Sequence, residues 1–143
     1  MLTIGFEGKR LLSSLTGFGT YSRTLIRDIC RLYPEILCVL IAHDSYNDLK
    51  KLPTFSSLEV EQVKRLDSLQ VVYPSSSWNL YWKLLGAKRA LYDHGVDIYH
   101  GLAHQIQRSV RQKRSPIVLT VQDLIYRYYP ELFPGENGDE PSV

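Results

Sequence analysis

The chain of 143 residues contains little cysteine, no long apolar run and no export signal at its start. Two cysteines, Cys30 and Cys38, are too few for a disulfide framework and favour a reduced, intracellular protein. The longest apolar run, residues 36–42, is far shorter than the roughly 18–20 residues that cross a bilayer. The first residues lack the basic flank and apolar core of a signal peptide. We therefore expect a cytoplasmic protein without a membrane span.

The composition is that of a globular domain, with 44% hydrophobic and 22% charged residues. The length suggests one domain. Three of the fifteen acids lie in residues 135–143, so residues 1–134 carry five more cations than anions. That surplus is too small to indicate a nucleic-acid partner. We expect one domain over residues 1–134, incomplete at its C-terminal end, and a flexible acidic tail over residues 135–143.

Short apolar runs alternate with helical periodicity along the chain. Strands are predicted at residues 2–6, 36–42, 69–73, 97–100 and 117–121, and helices at residues 18–33 and 78–94. Gly95 suits the left-handed position just after a helix. Residues 46–65 leave the choice of element open, because Pro53 interrupts any long one. This alternation predicts an α/β fold, a Rossmann-like open parallel sheet with helices on both faces.

The helix at residues 18–33 has apolar residues at steps of three or four, which predicts its buried face. These positions are Phe18, Tyr21, Leu25, Ile29 and Leu32.

Ligands of open parallel sheets bind beyond the carboxyl ends of the strands. Gly17 and Gly19 follow the first strand, where backbone and a helix N-terminus can approach an anion. The third glycine of a dinucleotide fingerprint is absent, because Ser22 stands there. The alternative is a simple turn that opens the helix.

Two further segments place polar side chains at strand ends. His100 and His104 are four residues apart, but no cysteine or carboxylate cluster completes a metal site, so we expect no metal. They are interpreted as histidines that line a cleft or pack in a loop. Gln122 and Asp123 follow the last strand and suit hydroxyl groups, although Asp123 can instead cap the following turn.

A basic run suggests either a solvated loop or contact with an anionic membrane surface. Its residues are Arg108, Arg111, Lys113 and Arg114. The chain has no Gly-x-Ser-x-Gly elbow for nucleophilic catalysis.

Five segments together resemble the N-terminal domain of family 4 (group 1) glycosyltransferases, two-domain enzymes of the GT-B fold. They are IGFEGKR at 4–10, TGFGTYSR at 16–23, VDIYHGLAH at 96–104, TVQDLI at 120–125 and YPELFP at 129–134. The resemblance covers residues 2 to about 134. It implies that a sugar is transferred from a nucleotide-sugar co-substrate with retention of its anomeric configuration. The acceptor is a glycan or a lipid-linked molecule held by this domain, and no cofactor is needed.

The resemblance also implies roles for particular residues. A donor-phosphate loop comprises Gly17, Phe18 and Gly19, the catalytic positions are Gln122 and Asp123, and the acceptor side comprises His100, His104 and Arg10. Gln122 stands where the family usually has histidine, and glutamine can bind a hydroxyl but cannot carry a proton.

The family's donor domain carries two glutamates separated by seven residues, and no pair in this chain has that spacing. We therefore expect a truncated acceptor-binding half that is inactive alone, with peripheral contact at the inner membrane face as an option. The alternative is a stand-alone α/β binding or regulatory module that pairs with a separate donor-domain protein. A nucleotide-dependent oxidoreductase is a weaker candidate, because the glycine fingerprint is incomplete.

Overall fold

A computed structural model describes residues 1–74, 85–102, 106, 110, 115–122 and 124–129. The strands are β1 Thr3–Glu7, β2 Leu37–Ile41, β3 Leu69–Val72, β4 Ile98–Gly101 and β5 Ile117–Leu119. The helices are α1 Lys9–Ser13, α2 Gly17–Leu32, α3 Tyr46–Leu49, α4 Leu58–Lys64, α5 Ala87–Asp93 and α6 Ile125–Tyr128, with a 3₁₀ turn at Pro53–Ser56. Within these ranges no helix is both long and apolar enough to cross a membrane.

The five strands form one parallel sheet in the order β3-β2-β1-β4-β5. Gly5 of β1 lies opposite Val39 on one side and Tyr99 on the other, which places β1 at the centre. The chain builds outwards from β1 through β2 and β3, then returns to the other side of β1 for β4 and β5. The predicted Rossmann-like α/β fold is confirmed.

Each face of the sheet has its own apolar core, as alternation along β2 shows. Cys38 and Leu40 belong to the core that α1, α2 and α4 cover. Val39 and Ile41 belong to the core that α5 covers. Since successive strand residues point to opposite faces, a strand buried on both sides is apolar throughout. Helices therefore lie on both faces, as predicted.

Residues 46–65 fold as three short elements rather than one. The Ser45 hydroxyl accepts from the Asp48 amide and opens α3, and Ser57 does the same for Val60 and α4. Pro53 begins the 3₁₀ turn between them. Helix α1, by contrast, has no counterpart among the predicted helices.

The later elements differ from the prediction in their bounds. Strand β5 ends at Leu119, two residues early, and the predicted helix over residues 78–94 is seen as α5. Residues 75–84 lie outside the described part of the chain.

The prediction of the buried face of α2 is wrong, because the buried positions lie about one residue after the predicted ones. The buried positions of α2 are Gly19, Ser22, Arg23, Ile26 and Cys30. Leu32 is 72% exposed and Tyr21 38% exposed, while Leu25 and Ile29 are partly buried. A buried arginine and serine conceal the true inner face from a hydrophobicity pattern.

Cys30 on α2 and Cys38 on β2 are free, buried residues of the same core. Both therefore pack as small apolar side chains. A hydrogen bond with Cys30, together with burial, raises the pKa of Cys38, so this residue stays a thiol.

Gly95 adopts the predicted left-handed conformation after α5, with φ of 60°. The Gly95 amide donates to the Tyr92 carbonyl at 3.0 Å, and the Val96 amide donates to the Leu91 carbonyl at 2.9 Å. A Cβ at Gly95 would meet no atom within 4 Å. Any loss of stability on adding a side chain here therefore comes from the left-handed backbone conformation alone.

We expect Gly95→Ala to lower the free energy of unfolding by about 1–2 kcal/mol, the cost of a left-handed alanine. Gly95→Asn should lose less, because asparagine tolerates this region. Urea unfolding measures both variants. Equal stability of the wild type and both variants would contradict the prediction.

Candidate functional site

The strand order reverses between β1 and β4, and open α/β sheets bind ligands beyond the carboxyl ends at such a point. Phe6 of β1 and His100 of β4 lie opposite each other there, with ring centroids 5.7 Å apart. Glu7 ends β1, and Thr120 directly follows β5. We call this the switch-point edge. The ends of three neighbouring strands carry a carboxyl group, an imidazole and a hydroxyl here.

The Thr120 hydroxyl links two elements that are far apart in sequence. It lies 2.8 Å from His100 Nε2 and 3.3 Å from the Tyr21 hydroxyl of α2. The Thr120 amide donates to the Gly101 carbonyl at 2.9 Å, which fixes this residue beside the end of β4. A hydroxyl can donate to one neighbour and accept from the other. Tyr21, Thr120 and His100 thus form a continuous polar chain.

Burial lowers the pKa of His100 from its ordinary value, because desolvation disfavours the imidazolium. A neutral imidazole has one N–H donor and one nitrogen lone pair. A neutral His100 is therefore able to bind a hydroxyl as donor through one ring nitrogen or as acceptor through the other.

Glu7 supplies a carboxyl group with an altered proton affinity. Burial raises its pKa, against the opposing effects of a hydrogen bond from the Lys9 amide and the charges of Lys9 and Arg10. The Lys9 amide donates to Glu7 Oε1 at 2.8 Å, so this oxygen is held at the start of α1. The carboxyl group accordingly combines a fixed orientation with an increased tendency to hold a proton.

Gln122 lies close to this edge, where its side-chain amide donates to the Leu102 carbonyl at 3.3 Å. Because Leu102 follows β4, this bond connects the chain after β5 with the chain after β4. Asp123 and His104 lie outside the described residues, and so does the basic run from Arg108 to Arg114.

The predicted donor-phosphate loop forms the first turn of α2, and its two glycines differ in surroundings. A Cβ on Gly17 would meet nothing within 4 Å, whereas one on Gly19 would lie 2.0 Å from the Ser14 carbonyl oxygen. Gly19 is thus required by the packing of α2 against the preceding turn. Arg10, assigned to the acceptor side, has its guanidinium carbon 5.9 Å from the centroid of the Phe18 ring.

Three residues at the switch-point edge received no role from the sequence: Glu7, Tyr21 and Thr120. Tyr21 was assigned to the apolar face of its helix. A polar residue at or beside the end of an apolar strand was the available signal for Glu7 and Thr120. Nothing local could have paired Tyr21 with a residue 99 positions away.

Among the residues described, no three His, Cys, Asp or Glu side chains lie together as a metal site. Comparisons with protein-family models, curated proteins and solved structures found no match.

We expect Gly19→Ala to lower the free energy of unfolding by about 1–3 kcal/mol, as overpacking does. Gly17→Ala is the matched control, and its stability should equal the wild type or exceed it slightly, because alanine is the better helix former. Chemical denaturation compares the two. Equal losses at both positions would mean that the Ser14 carbonyl does not require a glycine at position 19.

The lowered pKa of His100 predicts a pH dependence of stability. Its folded-state pKa lies below the ordinary value of 6.5, so the unfolded chain binds more protons in that interval. Stability contributed by neutral His100 is therefore lost as the pH falls through 6.5. His100→Gln should become progressively more stable relative to the wild type between pH 7.5 and 5.5.

Urea unfolding at half-unit pH steps measures this difference. A difference independent of pH, or one that favours the wild type at low pH, would show that protonated His100 is not penalised in the folded state.

Proposed function

We propose that this chain is the acceptor-binding half of a retaining glycosyltransferase, which moves a sugar from a nucleotide-sugar to a glycan or lipid-linked acceptor and is inactive alone. In this proposal residues 1–134 are one half of a GT-B architecture. The supporting observation is the polar chain of Tyr21, Thr120 and His100 at the switch-point edge.

Sugar recognition requires donors and acceptors at fixed positions rather than a full charge. The Thr120 hydroxyl and the neutral His100 imidazole both donate and accept, which matches the hydroxyls of a saccharide. Since the adjacent strands β4 and β5 hold these two groups, little ordering is needed on binding. This preorganisation supports an acceptor subsite at His100.

The first turn of α2 suits the diphosphate of a donor. The turn contains no acidic residue, and the N-cap residue Thr16 makes no side-chain capping bond. The partial positive charge of a helix N-terminus favours phosphate. We assign Gly17, Phe18 and Gly19 to the donor phosphates on this basis.

Gln122 and Asp123 remain the proposed catalytic positions. The Gln122 amide can bind a sugar hydroxyl or the leaving diphosphate, but it cannot transfer a proton. Stabilisation of the developing charge then depends on oriented dipoles and on a donor domain supplied from elsewhere.

A stand-alone binding module that pairs with a separate donor-domain protein is the second candidate. Exposed apolar side chains on β5 and just after it favour this candidate, because exposed apolar surface often marks an interaction site. At least a third of each side chain is exposed, and the residues are Val118, Leu119, Val121, Leu124, Ile125, Tyr128 and Tyr129.

Titration of the ¹⁵N-labelled chain with methyl glycosides of glucose, galactose, mannose and N-acetylglucosamine tests the acceptor subsite. We expect at least one glycoside to shift the amide resonances of residues 21, 100 and 120. Thr120→Val should weaken that binding by about three- to tenfold, the value of one or two net hydrogen bonds. Thr54→Val, the same change on the 3₁₀ turn, should leave binding unchanged.

The chain alone should not turn over UDP-glucose or GDP-mannose. Turnover would overturn the proposal that this is only half of an enzyme. If no glycoside binds, or if the two valine variants bind equally, the acceptor role fails and the binding module is favoured.

A further inference from the structure

A groove lies between α2 and α4, in the helical layer and away from the switch-point edge. Its volume is about 190 Å³, below the roughly 300–1,000 Å³ of pockets that bury a drug-sized ligand. Thr20, Arg23, Thr24 and Arg27 line it from α2, and Glu59 and Gln62 line it from α4. The groove thus suits a small polar ligand, or one group of a larger ligand.

The Arg23 side chain is the buried component of this groove, with only 5% of it exposed. Its Nη1 donates to the carbonyls of Leu11 and Ser14 at 3.0 and 2.7 Å. Its Nη2 lies 2.8 Å from Glu59 Oε2 and donates to the Thr20 hydroxyl at 3.4 Å. The buried Nε has no partner among the described residues. One side of the guanidinium is therefore satisfied by backbone, and the other only in part.

The Nε and Nη2 hydrogens of an arginine point the same way and match the two oxygens of a carboxylate. Arginine–carboxylate pairs are frequently bidentate for this reason. Glu59 makes one of these two bonds, and its side chain is 59% exposed. Because the Glu59 side chain is largely exposed, its carboxylate regains water when it leaves Arg23, and a ligand carboxylate can take its place.

The remaining lining groups are those that would bind a hydroxylated acid. Arg27 lies one helical turn after Arg23 and supplies a second cation, although its Nε contacts Asp28 at 3.2 Å. Thr20 and Thr24 offer hydroxyls and Gln62 an amide. Two cations therefore flank a position bordered by neutral hydrogen-bonding groups.

We propose that this groove binds the carboxylate of a small hydroxy acid, such as a sugar acid, and that Glu59 occupies the carboxylate position at Arg23 until the ligand displaces it. The ligand carboxylate uses both Nη2 and Nε, which supplies the missing partner of the buried nitrogen. This site does not depend on the proposed glycosyltransferase activity.

Titration of the full ¹⁵N-labelled chain with sodium glucuronate tests the site, with glucose as the same ring lacking the carboxylate. Glucuronate should shift the amide resonances of residues 20–27 and 58–63, and glucose should not. Absence of these shifts, or equal shifts with glucose, would overturn the proposal. Equal shifts with sodium phosphate would also overturn it, because the groove would then recognise charge rather than a carboxylate.

The substitution Glu59→Gln tests the displacement directly. Removal of the competing carboxylate should tighten glucuronate binding at least threefold, while Arg27→Gln should weaken it at least threefold. Glu61→Gln is the matched control, because Glu61 pairs with Lys64 and does not line the groove. Circular dichroism and urea unfolding verify that each variant is folded. If Glu59→Gln binds no more tightly than Glu61→Gln, Glu59 does not occupy the carboxylate position.

Discussion

The buried guanidinium of Arg23 ties the first half of α2 to the end of α1. A helix leaves its last carbonyls without intrahelical partners, and α1 is only five residues long. Arg23 supplies donors to two carbonyls there, those of Leu11 and Ser14. A charge is costly to bury unless it is paired and hydrogen-bonded, so the guanidinium and the carbonyls satisfy each other. The contact between the two helices rests on this exchange.

The close contact between α1 and α2 requires a residue without a Cβ at position 19, and Gly19 is that residue. A Cβ there would collide with the Ser14 carbonyl and lie 2.9 Å from Arg23 Nη1, so any larger residue would separate the two groups. With the helix held in this way, Tyr21 reaches Thr120 across the carboxyl edge of the sheet. The orientation of the candidate site therefore depends on a packing interaction outside it.

The strands were predictable because each is a short segment made mostly of apolar residues, and Gly95 because few other residues suit its position. The inner face of α2 was not predictable in the same way. Its central residue is charged, and Arg23 is buried because the carbonyls of Leu11 and Ser14 and the Glu59 carboxylate accept from its guanidinium. Residues 46–65 escaped prediction because serine caps and one proline set the boundaries, not hydrophobic periodicity.

The candidate site was predictable only as a set of strand ends. The parallel sheet brings His100 and Gln122 to one edge, as their positions after strands indicated. The contacts of Thr120 with Tyr21 and of Gln122 with Leu102 depend on the packing between elements, which no local pattern encodes. Asp123 is the second proposed catalytic residue, and its catalytic role comes from the family resemblance.

The contacts at the switch-point edge differ in strength, and this difference bears on how a ligand enters. The His100–Thr120 contact is 2.8 Å, and adjacent strands hold both residues in place. The contacts from Tyr21 to Thr120 and from Gln122 to Leu102 are each 3.3 Å, beyond the usual range for a strong bond. A ligand hydroxyl can replace either of the long contacts at a cost of about 1 kcal/mol or less. The strands thus supply the fixed part of the site, and Tyr21 and Gln122 are the groups that a ligand would rearrange.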